Sequence, residues 1–180
     1  GVNGMNQNNN VLGGTEFVIP SYSQVDLGGF ISVKKDWEKL SLAGGIRYDH
    51  RKFKNDELFT KPNPVSGFDE PVYGKDRVDA DRPFGKYSTN FDGVTGSLGG
   101  SYVFNRSWSL KANFARGYRA PNISEISANG VHPGTGFFQI GNSAFKPEFS
   151  SQADFGGTYS SKILNIGTSL FVNQIKNYIY

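Results

Sequence analysis

One stretch of the sequence, residues 118–148, holds the side chains best suited to binding chemistry. Tyr118 and Arg119 open it, Glu125 follows, and His132 lies near its middle. A guanidinium presents a planar fork of N–H donors to carboxylates and other anions. A neutral imidazole is a good ligand for iron or zinc. These residue types predict contact with an anionic or metal-containing ligand.

Covalent chemistry is not indicated. The sequence has no cysteine, which excludes disulfides, thiolate zinc sites and cysteine nucleophiles. It also lacks a Gly-x-Ser-x-Gly elbow, a phosphate-binding loop and a His-Glu-x-x-His motif. The net charge is only +3, and the basic residues are scattered rather than arranged in a stripe that would follow a phosphate backbone. We therefore expect a protein that is not an enzyme and does not bind nucleic acid.

Arg119 also has a structural interpretation. It shares one face of a strand with Lys111 and Asn113, so it should point to the interior and pair with Glu125 or Glu148. The alternative is a direct contact with an anionic ligand. Both interpretations place the guanidinium beside the long connection that follows it.

The loop residues are less specific. His132 has no second His, Cys or Met nearby, so an ordinary loop residue is favoured over a metal ligand. Phe137 and Phe138 either cover an apolar ligand or pack the loops against each other. The acidic run between Asp69 and Asp81 lacks the spacing of a twelve-residue calcium loop, and we interpret it as a solvated loop.

Segments of alternating apolar and polar residues must position these side chains. A period of two is the signature of strands. Each segment reaches the roughly 9–11 residues that a tilted strand needs to cross a bilayer, whereas globular strands are commonly about 5–6 residues long. Residues 1–7 are interpreted as part of a further strand. The six predicted strands are residues 22–35, 39–53, 88–104, 107–118, 148–160 and 163–180.

Short and long connections alternate between these strands. Outer-membrane barrels show this pattern, with short turns on one side and long loops on the other. Compact soluble domains rarely hold two loops of about 30 residues. The short connections are residues 36–38, 105–106 and 160–162, and the long ones are residues 8–21, 55–87 and 119–147.

Aromatic residues cluster at the strand ends, as they do at the two interfaces of membrane barrels. One predicted row lies near the short turns and contains Trp37, Tyr102, Phe104, Trp108 and Tyr159. The other lies at the loop ends and contains Tyr48, Phe53 and Tyr118. The predicted fold class is all-β: an antiparallel up-and-down meander of about seven long strands that forms part of a larger transmembrane barrel. Its two open edges predict that the isolated segment self-associates.

The order of motifs around the last long loop resembles that of TonB-dependent outer-membrane receptors. A strand ends in Tyr118-Arg119-Ala120-Pro121, the loop closes with Gly141-Asn142, and Lys146-Pro147-Glu148 opens the next strand. The segment 171–180 also resembles a recurrent strand of these receptors. The resemblance implies that residues 1–180 are a partial barrel domain, without the plug domain and the remaining strands.

The resemblance also implies a function and partners. Such a receptor would lie in the outer membrane of a Gram-negative bacterium, contact lipid, and take up an iron chelate (siderophore) or haem. It would couple to the TonB complex through its plug and would carry no resident cofactor. The small-molecule ligand would meet the loop candidates His132, Arg119, Tyr118, Phe137 and Phe138.

Haem receptors of this family carry a Phe-Arg-Ala-Pro box and an Asn-Pro-Asn-Leu box with a histidine between them. Here the second box reads Asn142-Ser143-Ala144-Phe145 and departs at three positions. His132 would therefore be a metal ligand only if haem is the cargo. Two other classes stay open: a passive porin-like outer-membrane barrel, and a soluble β-sandwich binding module.

Overall fold

Seven long strands form one antiparallel sheet in the computed structural model, which describes residues 1–132 and 134–180. Each strand pairs with its neighbours in the sequence, so the predicted up-and-down meander is confirmed. The strands are β1 (Val2–Asn9), β2 (Tyr22–Asp36), β3 (Leu40–Asn55), β4 (Tyr87–Val103), β5 (Trp108–Arg119), β6 (Glu148–Ser160) and β7 (Asn165–Lys176).

The short turns lie together at one end of the strands, and the long loops lie together at the other end. The β2–β3 turn closes with a hydrogen bond of 2.7 Å from the Trp37 amide to the Leu40 carbonyl. In the β4–β5 turn, Asn105 Oδ1 accepts from the amides of Ser107 and Trp108 at 2.8 and 3.0 Å. An asparagine side chain that satisfies two backbone donors stabilises such a tight turn.

The sheet has one apolar face and one polar face. The apolar face carries Ile31, Ile46, Leu98 and Leu170, which are 59–73% exposed. Strands β2 to β7 are 12 to 17 residues long and form a single sheet with no second long-stranded sheet packed on it among the described residues. Both features argue against the alternative of a soluble β-sandwich, because that fold has shorter strands and a second sheet over the apolar face.

The aromatic row near the turns is present, but the row at the loop ends is mostly wrong. Near the turns, the Trp108 and Tyr159 rings have centroids 4.8 Å apart. At the loop ends, Tyr48 stays on the apolar face and is exposed. Phe53 is only 1% exposed, because its odd position places it on the polar face beneath the loops. Tyr118 is also turned inward and packs against the core there.

The buried core lies between the polar face and the loops rather than within the sheet. One cluster contains Phe53, Phe91, Ala120 and Ile126. A second contains Phe17, Leu58 and Phe84, and joins the first loop (residues 10–21) to the second loop (residues 56–86). The aromatic residue Phe84 therefore packs the loops together.

The long loops contain structure that the sequence analysis did not predict. The second loop holds a three-stranded sheet in which Leu58–Pro62 lies between Asp69–Pro71 and Asp81–Phe84. The third loop (residues 120–147) holds a one-turn helix, α1 (Ile123–Ser127), and a hairpin of Asn129–Val131 with Phe138–Ile140. No helix among the described residues is long and apolar enough to cross a membrane.

The last strand is shorter than predicted. It ends at Lys176 instead of continuing to residue 180. Asn177 has φ 55°, a left-handed conformation that an asparagine tolerates and that turns the chain out of the strand. Its side-chain amide donates to the Pro147 carbonyl at 2.9 Å, and the Ile179 amide donates to Glu148 Oε1 at 2.6 Å. These side-chain bonds hold the turned segment against the start of β6.

Candidate ligand-binding site

Arg119 joins three elements at the loop end of the sheet. Its Nη1 donates to both carboxylate oxygens of Glu125 at 2.8 and 3.0 Å, and its Nε donates to Glu148 Oε2 at 2.6 Å. The predicted ion pair is thus confirmed with both candidate partners. Because Glu125 belongs to α1 and Glu148 opens β6, the guanidinium fixes the third loop to the two strands that it connects.

The same glutamate organises α1. Asn122 Oδ1 accepts from the Glu125 amide at 2.9 Å, and Glu125 Oε2 accepts from the Asn122 amide at 2.8 Å. This reciprocal pair is a capping box, which satisfies two backbone donors at a helix start. Pro121, which ends the strand, is fully buried just before the cap. The sequence Asn-Ile-Ser-Glu is the signal by which this helix start could have been found.

Tyr118 lies over the backbone of β4. An added Cβ at Gly93 would overlap the Tyr118 ring, so glycine is needed there to let the ring approach. The opening exists because β5 pairs with β4 only from Gly96 to Val103, which leaves the loop end of β4 free on that side. Within the described part of the chain, the Tyr118 hydroxyl is buried without a hydrogen-bond partner.

Two further arginines extend the charged surface across β1, β2 and β3. Arg51 Nε and Nη2 hold both oxygens of Asp26 at 2.8 and 2.7 Å. Arg47 Nε donates to Asp49 Oδ2 at 2.7 Å. Both pairs are about three-quarters buried, and such forked pairs are rigid and strongly oriented. These residues were not recognised from the sequence as part of a site.

These groups surround a polar cavity of about 510 Å³ beneath the third loop. Its volume lies within the range of about 300–1,000 Å³ that is common for small-molecule sites. Tyr118 and Arg119 are brought together here, with charged partners that the sequence analysis did not single out. The cavity is lined by Asn3, Asp26, Arg47, Asp49, His50, Arg51, Tyr118, Arg119, Ala120 and Asn122.

The other predicted site residues lie elsewhere. His132 is at the turn of the hairpin and accepts a hydrogen bond from the Gly134 amide through Nδ1 at 3.2 Å. This bond occupies the lone pair of Nδ1 in this conformation. Phe137 is 73% exposed. Phe138 lines a separate cleft of about 340 Å³ between the three loops.

The acidic run in the second loop behaves as the sequence predicts. Asp69, Glu70, Asp76, Asp79 and Asp81 are all exposed. Among the described residues, no three His, Asp or Glu side chains group into a site for a metal ion. Their exposure agrees with the solvated interpretation of this run.

The electrostatics of the clamp favour an ionised Glu148. This residue lies at the loop end of β6, beyond the apolar band of that strand. The Arg119 guanidinium and then the Ile179 amide hold the pKa of the Glu148 carboxyl below its usual value. The carboxylate is therefore charged at neutral pH, as the clamp requires.

Comparison with known protein families shows the family to which the sheet belongs. Residues 2–180 match the family described as TonB dependent receptor-like, beta-barrel. The chain belongs to this family, whose members are transport receptors. The polar face therefore lines the interior of a barrel and the apolar face is its outer wall.

Solved structures with a similar fold include two receptors and a transporter. The chain matches the Serratia marcescens hemophore receptor HasR, solved with hemophore HasA and heme, at TM-score 0.65 and 16% identity, covering 89% of this chain and 26% of HasR. It matches the copper transporter OprC at TM-score 0.62 and 20% identity (87% and 22% covered). It matches the ferric-catecholate import receptor Fiu from E. coli at TM-score 0.56 and 14% identity (86% and 22% covered). The chain thus spans about a quarter of each of these proteins.

Proposed function

We propose that this chain is the part of a receptor barrel that helps to bind and take up an iron chelate of the siderophore type across the outer membrane of a Gram-negative bacterium. The observation that carries the proposal is the polar cavity roofed by the clamped third loop. It combines a volume suited to a small molecule with fixed guanidinium donors.

The unpartnered hydroxyl of Tyr118 supports a ligand at this place. A buried hydroxyl without a partner costs about 1–3 kcal/mol, and a ligand oxygen that reaches it from the cavity would recover that cost. Arg119 and Arg51 are held in place by carboxylates, so their remaining N–H groups are fixed donors for oxygen atoms of a chelate. These features favour binding by hydrogen bonds rather than by direct coordination of a metal ion.

Uptake also needs partners that this segment does not include. We infer that the apolar face contacts lipid, because seven adjacent strands expose apolar side chains on it. We further infer that a plug domain packs on the polar face and links the receptor to the TonB complex. Small side chains there leave room for a plug: Gly45, Thr95, Ser97 and Ala115 line a depression of about 550 Å³.

Titration of the full-length receptor in detergent tests the chelate site. Ferric siderophores of several classes are added while intrinsic fluorescence is followed. We expect saturable binding to at least one of them, weakened about tenfold or more in Tyr118→Phe, because a ligand hydrogen bond to the hydroxyl is lost. Tyr73→Phe, at an exposed tyrosine of the second loop, is the matched control and should bind normally. Saturable binding that is unchanged in Tyr118→Phe would contradict this location of the site.

Haem is the second candidate cargo, and His132 is the observation that favours it. In this case His132 must exchange its hydrogen bond with Gly134 for a bond to iron. Saturable haem binding that is lost in His132→Ala would support haem as the cargo. Haem binding that persists in this variant, or siderophore binding alone, would leave His132 as a loop residue.

A further inference from the structure

The apolar face of β3 ends in three basic residues at its loop end. After Tyr48, the next positions on this face are His50, Lys52 and Lys54. The intervening residue Phe53 and the strand's last residue, Asn55, are 1% and 3% exposed because they lie on the polar face beneath the loops. Strand alternation therefore places both lysines on the outer face, where both are exposed.

The two lysines have uncharged neighbours across the strands. Lys52 pairs with Val25 and Asn90. Lys54 pairs with Ser23 and Ser88. Over residues 1–132 and 134–180, neither ammonium group forms an ion pair. The positive charge at this place is therefore not neutralised by the protein.

The carboxylate on this face does not neutralise it either. Asp92, the cross-strand partner of His50, is held by His50 Nδ1 at 2.7 Å and by the Tyr48 hydroxyl. These bonds hold Asp92 at the level of the Tyr48 ring, which lies closer to the apolar part of the strand than the lysines do. The lysines stay available for an external anion.

The height of the lysines matches the polar layer of a bilayer. A strand rises about 3.3 Å per residue, so Lys52 lies roughly 13 Å beyond Tyr48 along β3, or about 9 Å along the membrane normal at a tilt of about 45°. Each headgroup region extends about 5–8 Å beyond the hydrocarbon core. If Tyr48 marks the edge of the hydrocarbon, the backbone of Lys52 lies just above the headgroup region, and that of Lys54 lies about 5 Å higher. The long, flexible stems of both lysines let their ammonium groups reach back to the headgroups.

We propose that Lys52 and Lys54, with His50 at their base, form a docking surface for the phosphate groups of an anionic lipid in the leaflet on the loop side. Charge complementarity and continuity with the apolar face carry the inference. It rests on the proposed function, because that proposal places this face in a bilayer.

Binding of a diphosphorylated glycolipid, lipid A, to the full-length receptor in detergent tests this proposal. The affinity of the unmodified receptor is compared with that of Lys52→Gln/Lys54→Gln by native mass spectrometry. Lys75→Gln/Lys146→Gln removes the same charge from exposed loop positions and is the matched control. Dephosphorylated lipid A and inorganic phosphate are the two comparison probes.

We expect the Lys52/Lys54 variant to bind lipid A about 30-fold more weakly, from two lysine–headgroup interactions. The control should bind normally, and inorganic phosphate should not compete. An equal loss in the control, equal binding of dephosphorylated lipid A, or competition by inorganic phosphate would overturn the proposal. Siderophore titration of the same samples separates the two proposals: a receptor that binds lipid A but no chelate contradicts only the proposed function.

Discussion

Replacing Arg119 by alanine should release the third loop from the barrel wall. The side chain makes three hydrogen bonds to two carboxylates, and no other basic residue among those described forms an ion pair with either carboxylate. Without Arg119, Glu125 and Glu148 would repel each other across the gap. The main effect should be local, because the sheet hydrogen bonds of β5 and β6 do not depend on the side chain.

The magnitude follows from the geometry and the exposure. A hydrogen bond between charged groups contributes about 1.5–3 kcal/mol when protected, but an exposed ion pair contributes only about 0.2–1 kcal/mol. Arg119 is 43% exposed, while Glu148 is mostly buried, so solvent screens part of the interaction. We therefore expect a loss of about 2 kcal/mol, which raises the open population of the loop about 30-fold.

Hydrogen–deuterium exchange of the full-length receptor measures this opening. The reporter amides are those of Ile126, Gly141 and Asn142, which donate to carbonyls within the third loop. They should exchange about 30-fold faster in Arg119→Ala. The increase should be smaller in Arg119→Lys, which keeps the positive charge but loses the forked donors of the guanidinium. Arg106→Ala, in a short turn at the opposite edge, is the control. Exchange that is unchanged, or raised equally by the control, would refute the clamp.

Further substitutions test the packing and the charge of the site. Gly141→Ala should displace α1 and weaken chelate binding, because its Cβ would lie 2.6 Å from the Ala128 amide nitrogen; a fluorescent label on the loop reports the shift. Phe53→Ala should lower the free energy of unfolding by about 3–5 kcal/mol, whereas Phe137→Ala should change it by less than about 0.5 kcal/mol, as measured by denaturation in detergent. Since the pKa of Glu148 is lowered in the folded protein, the Arg119–Glu148 ion pair should be intact above about pH 4.5 and should be lost as the pH falls below that value. The part of the loop label's response that comes from this pair should be absent in Glu148→Gln.

The meander was predictable because its signals are local and repeated. Alternating polarity predicted the positions of the strands, and the alternation of short and long connections predicted their antiparallel order. The Arg119 clamp was predictable for the same reason, since strand parity placed its side chain on the polar face beside two glutamates. Parity also explains the error at Phe53, which was grouped with Tyr48 although their positions differ by five, an odd number that places them on opposite faces.

The rest of the site depends on contacts between distant parts of the chain. Arg51 is bound by Asp26, and the sequence does not reveal the register that brings them together. The inward turn of Tyr118 depends on Gly93 and on the early end of the β4–β5 ladder. The small sheet in the second loop has strands of three to five residues, which are too short to give a clear period.

Energy-coupled uptake by cells tests the central claim most directly. A strain that depends on the full-length receptor is given a radio-iron siderophore, and accumulation is compared with and without functional TonB. We expect saturable accumulation that requires TonB and falls about tenfold or more in Arg119→Ala, with normal receptor levels at the surface. Accumulation that proceeds equally without TonB, or that rises linearly without saturation, would contradict this expectation and favour a passive barrel.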